Sequence, residues 1–193
     1  MSNVIPEKSI NFAVYLNGRD LLGIAEGTIP ALEALTSEVK GAGIAGAVES
    51  IVLGHFASTT LSLTWRTVTD AFMKLYAHKT NDIELHASLQ RCDAGLGIYK
   101  TEPLYVYLKA ITKTSTPGNL VVGDNMDTQT EFEITYMKIL LNNKERVEMD
   151  KYDYIYKVDG VDYLATVRSD LGKQQAVNRR KHNEDKAEEG SNA

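Results

Sequence analysis

Three glycines, Gly41, Gly43 and Gly46, stand in a Gly-x-Gly-x-x-Gly spacing. Such a run lets a backbone approach a pyrophosphate when it leaves a buried strand and opens a helix. The flanking residues argue otherwise here. Thr36, Glu38 and Lys40 precede it at alternate positions, where a buried parallel strand would be apolar throughout. Arg66 stands roughly where an acid would hold the ribose. The glycines read as a flexible or close-packed connection, and no cofactor is expected.

Other chemistry fares no better. His55, His78, His86 and His182 are never three or four residues apart, so no helical face gathers two of them for a metal. Serines, histidines and aspartates are present without a Gly-x-Ser-x-Gly elbow, so no triad is singled out. Glu131 and Glu133 share one strand face and could act as paired carboxylates, but acid/base work needs a pocket that perturbs them. Tyr152, Tyr154, Tyr156 and Tyr163 could stack bases, yet the net charge is -5, and gripping phosphates takes clustered Lys and Arg. These tyrosines read as strand and interface packing.

The elements that would position these residues follow from periodicity. Leu35, Ser37 and Val39 alternate with Thr36, Glu38 and Lys40, and Leu61, Leu63 and Trp65 alternate with Ser62, Thr64 and Arg66, the period of half-buried strands. Residues 41–58 between them read as a long Gly-rich loop. It carries Ile44, Val48, Ile51, Val52, Leu53 and Phe56, too many apolar groups for a disordered segment, so it is expected to order against another subunit. Further strands are expected over 11–16, 21–26, 83–89, 104–111, 130–140, 145–152, 154–158 and 161–164. Asn17-Gly18, Asn142-Asn143 and Asp159-Gly160 supply turns, while residues 112–127 read as a polar loop. Residues 67–77 change to a helical period, with Thr67 three before Asp70 as a cap. The fold class is mainly β: an antiparallel barrel or sandwich with one short flanking α-helix and a long inter-strand loop.

The 193 residues fit one body over 11–172, a short extension over 1–10 and a polar tail over 173–193 too poor in apolar groups to pack. Cys92 is the single cysteine, which suits a reducing compartment. No apolar run nears the roughly 18 residues of a membrane span, and the first residues lack a signal-peptide pattern. A cytosolic protein with no membrane anchor is expected.

From about Phe12 to Gly172 the chain resembles the major tail tube proteins of contractile-tailed bacteriophages and R-type bacteriocins. The likeness rests on the order of Val14-Tyr15-Leu16-Asn17-Gly18, Gly23-Ile24-Ala25, Leu32, Glu38, Gly41-Ala42-Gly43, Gly46, Leu61 to Trp65 and Leu75-Tyr76-Ala77. It resumes in Lys144-Glu145, Val147-Glu148-Met149-Asp150 and Lys157-Val158-Asp159-Gly160-Val161-Asp162. The resemblance implies a non-enzymatic virion subunit, assembled in the host cytoplasm into stacked hexameric rings. Its partners would be other copies of itself, a tail sheath protein, and baseplate and tail terminator proteins, with DNA passing through the lumen without specific binding. Joined to the alternation, it puts Thr36, Glu38, Lys40, Ser62, Thr64, Arg66, Glu131, Glu133 and Thr135 toward the lumen and makes residues 41–58 an inter-subunit loop. A related contractile secretion tube and a small-ligand barrel are the alternative readings.

Overall fold

A computed structural model describes residues 4–18, 20–21 and 24–173. Of the expected tail over 173–193, Lys173 alone is described, and residues 174–193 lie outside the described residues. The described chain forms twelve strands and two short helices: β1 (Val4–Leu16), β2 (Asp20–Leu21), β3 (Ile24–Thr28), β4 (Ala34–Val39), β5 (Val48–Phe56), β6 (Thr60–Trp65), α1 (Asp70–Lys74), β7 (Thr80–Asp93), β8 (Ile98–Thr116), β9 (Thr128–Leu141), β10 (Lys144–Asp150), β11 (Ile155–Val158), β12 (Val161–Asp162) and α2 (Ala165–Asp170). The main sheet runs β12-β11-β10-β9-β8-β7-β1-β2, with β6 on β9 and β3 on β6. Every pairing is antiparallel.

One edge of β9 serves two neighbours. Its first half, Thr128 to Glu133, pairs with β6 and its second half, Tyr136 to Leu141, pairs with β10. The register against β8 shifts between Lys109 and Ala110, at the step from Tyr136 to Ile134. A bulge increases local twist and bends the strand. The sheet thereby folds over one core, in which Val14, Leu61, Leu63, Trp65, Phe72, Leu75, Ile83, Leu108, Phe132, Ile134 and Met149 are buried together. It is sandwich-like, with β2, β3 and β12 as its end strands among the described residues.

Asn17 and Gly18 (φ 52° and 71°), Asn142 and Asn143 (53° and 59°), and Asp159 and Gly160 (48° and 85°) occupy left-handed turn positions, as the sequence expects. The strand boundaries differ more. β1 begins at Val4, so the lead before Asn11 is strand paired with β7. Only Asp20–Leu21 returns on β1, and the chain then crosses to pair β3 with β6. β8 continues to Thr116, which leaves residues 117–127 as the loop. The helix expected over 67–77 is confined to Asp70–Lys74, capped by Thr69 rather than Thr67: the Thr69 hydroxyl accepts from Phe72 N at 3.2 Å. Tertiary burial sets its length, since Phe72 and Leu75 are already buried beneath Trp65, whose ring lies 6.1 Å from that of Phe72.

The expected long loop over 41–58 is largely strand. β5 pairs with β4 through Val39↔Val48, Glu38↔Glu49, Ser37↔Ser50 and Thr36↔Ile51. The true connection is residues 40–47. Residues 52–55 then bulge opposite Leu35, before Ala34 pairs with Phe56, which breaks the alternation that marks a strand in sequence. This ribbon forms a second sheet of two strands.

Candidate assembly surfaces

Two surfaces hold the sequence-predicted residues. The first is the polar face of β6 and β9. Leu61, Leu63 and Trp65 are fully buried, as are Thr130, Phe132 and Ile134, so the residues between them point outward by strand alternation. Register sets Ser62 beside Glu131 and Thr64 beside Gln129. The Gln129 amide donates to Ser62 Oγ at 2.9 Å, and Lys113 Nζ donates to Glu131 at 3.4 Å. Thr60, Ser62, Thr114, Thr116, Gln129 and Glu131 line a polar trough of about 290 Å³. Thr60, Thr114, Thr116 and Gln129 were not singled out in the sequence, and the register shift between buried Thr112 and exposed Thr114 breaks the alternation that would have marked them. Arg66 lies exposed just past β6. Thr36, Glu38 and Lys40 sit apart on the exposed ribbon, where β4 pairs with β5 alone and Lys40 Nζ stands 3.6 Å from Glu38.

Glu131 and Glu133 are not an acid/base pair. Glu131 meets Lys113, whereas Glu133 is a tie point: it accepts from Ser58 Oγ, from Thr59 N at 3.4 Å and from Lys151 Nζ at 3.0 Å, and Lys151 also donates to Ala57 O at 3.2 Å. Burial pushes the Glu133 carboxyl up, but the hydrogen bonds from Ser58 and Lys151, the Lys151 charge and the Thr59 N–H outweigh it and hold the group below the usual carboxylate range. A general acid needs the reverse shift. Thr135 falls at the β9 bulge, with its hydroxyl 3.3 Å from Lys109 O.

The outward face continues across the sheet. Lys109 Nζ lies 5.8 Å from the Tyr136 ring centroid, and His86 packs against Tyr15, Tyr105 and Tyr107 at 5.0, 4.8 and 6.1 Å. Burial, with the Glu84 charge second, raises the Tyr107 hydroxyl above its ordinary range.

The second surface is the β4–β5 ribbon. Leu35, Val39, Ile44, Val48, Ile51, Val52 and Leu53 are all exposed. Two-stranded ribbons are marginal alone, and among the described residues this one is anchored at its base. Phe56 packs against Tyr156 at 4.9 Å, His55 stands edge-on to Tyr154 at 6.4 Å, and Gly54 lies against buried Leu164, just before α2. The glycines divide unexpectedly. Gly43 (φ 92°) and Gly46 (φ 138°) need left-handed freedom, whereas Gly41 has neither a positive φ nor a neighbour within 4 Å of a Cβ. Gly41 is therefore not the constrained position its place in the motif implies. The close approach is at Gly54, with φ 70° and a Cβ position 2.3 Å from Leu164 Cδ1. The motif is followed by β5 and not by a helix, so no helix N-terminus stands ready for a phosphate.

α2, absent from the sequence reading, completes the base. Buried Arg168 donates to Tyr154 O at 2.7 Å and pairs with Asp162. Burial pushes the Asp162 carboxyl up, and the Arg168 hydrogen bond, the Leu164 N–H and the Arg168 and Lys157 charges together bring it below its ordinary value.

The described residues thus present an outward polar face, open sheet ends and an apolar ribbon held by its base. The family model described as phage tail tube protein FII matches residues 6–172. The tail tube protein of Escherichia phage P2 is 29% identical over 175 residues, covering 87% of this chain and 98% of that protein. Among solved structures, a chain from the sheath/tube terminator of the PVC extracellular contractile injection system in its extended state has a TM-score of 0.47 at 15% identity, covering 71% of this chain and 96% of that one. A chain of the PVC sheath-tube complex has a TM-score of 0.43 at 16% identity, covering 67% and 86%. The chain belongs to the phage tail tube protein family. It is a structural component of a phage-type tail, not an enzyme.

Proposed function

We propose that this chain is the repeating subunit of the inner tube of a contractile phage tail or phage-tail-like particle. Six copies would close into a ring and rings would stack into a hollow tube, bounded by baseplate and terminator and enclosed by a sheath. Family membership over residues 6–172 carries the reading. The geometry supports it: one sheet face is closed on the core, while the other presents Ser62, Thr64, Glu131 and Glu133 in adjacent register. Joining open sheet ends between copies removes exposed edges, and a hydroxyl- and acid-lined wall suits a channel that DNA crosses without sticking. The ribbon is the inter-subunit element in this reading, since Leu35, Val39, Ile44, Val48, Ile51, Val52 and Leu53 are exposed in the described chain.

A secretion-type tube has the same architecture and different cargo. Sedimentation velocity across a concentration series, followed by negative staining, tests the assembly. Rings and hollow tubes above a threshold concentration are expected. Monomer at every concentration and salt condition would refute the proposal.

A further inference from the structure

We infer that the tip of the β8–β9 loop, Leu120-Val121-Val122, seats in an apolar groove of the next copy of this chain; this rests on the tube reading. The three side chains are 88%, 60% and 104% exposed, yet their loop is firmly held. Asn119 N donates to Met126 O at 2.9 Å, Asp124 N to Val121 O at 3.3 Å, and Met126 N to Arg66 O at 2.9 Å. The Thr128 hydroxyl donates to Pro117 O at 2.9 Å. At Gly118, φ is 82° and a Cβ would lie 1.8 Å from Met126 O. An apolar tip held in place while facing water is preorganised for a contact.

The same molecule carries the socket. A groove of about 320 Å³ opens between β3 and the β1/β7/β8 layer, walled by Phe12, Ile29, Leu85, Leu89, Leu104 and Val106. The tip leaves the sheet at the Trp65↔Thr128 pair, while β3 runs from Ile24 beside Trp65 to Thr28 beside Ser62 and on toward Ile29, away from the tip. The tip and the Ile29 wall of the groove are thus separated by about four residues of β6, about 13 Å at strand rise. A contact between two different patches of identical chains is heterologous and propagates head to tail. Exposed Asp124 and Asp127 flank the tip; the depression that continues the groove through Ser9 and Leu89 carries Lys8, Glu7 and the Arg91–Glu102 ion pair, so Lys8 is the cation placed to meet them. Three aliphatic side chains cover far less than the about 1,200 Å² of a stable pair. A single contact therefore holds nothing, and repetition around a ring makes it effective.

The test uses the full chain in a Cys92→Ser background. Val122→Cys and Ser9→Cys proteins, mixed and oxidised, should give a disulfide-linked heterodimer that neither gives alone. Leu120→Asn/Val122→Asn should keep the parent's circular dichroism and raise the assembly threshold at least tenfold. Tubes that form without the cross-link, with the double variant assembling like the parent, would overturn the inference and leave the tube reading intact. A parent that makes neither tubes nor cross-link would overturn both. A cross-link without tubes would support the contact and refute the tube.

Discussion

Gly54→Ala is the most informative single change, because it loads the joint between ribbon and body. The backbone there sits at φ 70°, and a left-handed residue bearing a Cβ costs about 1–2 kcal/mol. The new methyl would stand 2.3 Å from Leu164 Cδ1 and 2.4 Å from Cδ2, so a fully buried leucine must repack, at about 1–3 kcal/mol for overpacking. The sum, roughly 2–5 kcal/mol, is a large share of the 5–15 kcal/mol typical of a domain. With a mid-range urea slope of about 2 kcal/mol/M, the unfolding midpoint should fall by about 1–2.5 M. Gly41→Ala is the control, since open space and an ordinary φ make it neutral or stabilising by about 0.4–1 kcal/mol. Urea titration of monomer followed by tryptophan fluorescence reads both. If Gly54→Ala unfolds with the parent, or Gly41→Ala falls as far as Gly54→Ala, the assigned joint is wrong.

Other outcomes follow from the same contacts. Gly43→Val, at φ 92° with open space around it, should leave far-UV circular dichroism nearly unchanged and sharply reduce tube formation, seen by pelleting. Glu133→Gln weakens charge-assisted hydrogen bonds worth about 1.5–3 kcal/mol each at best, less here because the carboxylate is partly exposed. Glu133 and Asp162 both have folded pKa values below their ordinary ones. Their contribution is therefore present at neutral pH and is lost as pH falls through the folded values. The parent should lose stability toward acid, and Glu133→Gln should flatten that slope in urea titrations at stepped pH. Arg168→Met removes the partner of Asp162 and the donor to Tyr154 O, and should cost about 3–5 kcal/mol if Asp162 stays charged. Adding Asp162→Asn should recover part of that loss.

Leu61 to Trp65, Ile83 to Leu89 and Thr130 to Ile134 fall on the expected faces, whereas Leu35 and Val39 alternate in the same way yet are exposed, because β4 pairs with β5 alone. Turn chemistry at Asn17-Gly18, Asn142-Asn143 and Asp159-Gly160 was equally plain. What failed has physical causes. The bulge at 52–55 hides β5, because period two is the only strand signal and a bulge erases it. β8 runs through Lys113, Thr114 and Ser115 with a polar composition that reads as loop, since its outward face is hydrophilic. α2 is too short for a helical period and is tied down through Arg168 to Asp162 and to Tyr154 O. The tie of Glu133 to Ser58 and Lys151 spans distant segments, which no local pattern encodes.

The most direct measurement is a cryo-EM reconstruction of tubes grown from the purified chain. The account predicts a hollow six-fold tube with Ser62, Thr64, Glu131 and Glu133 facing the channel and the ribbon against a neighbouring subunit. A tube whose channel is lined by the opposite face of β6 and β9, or a ribbon free in solvent, would contradict it.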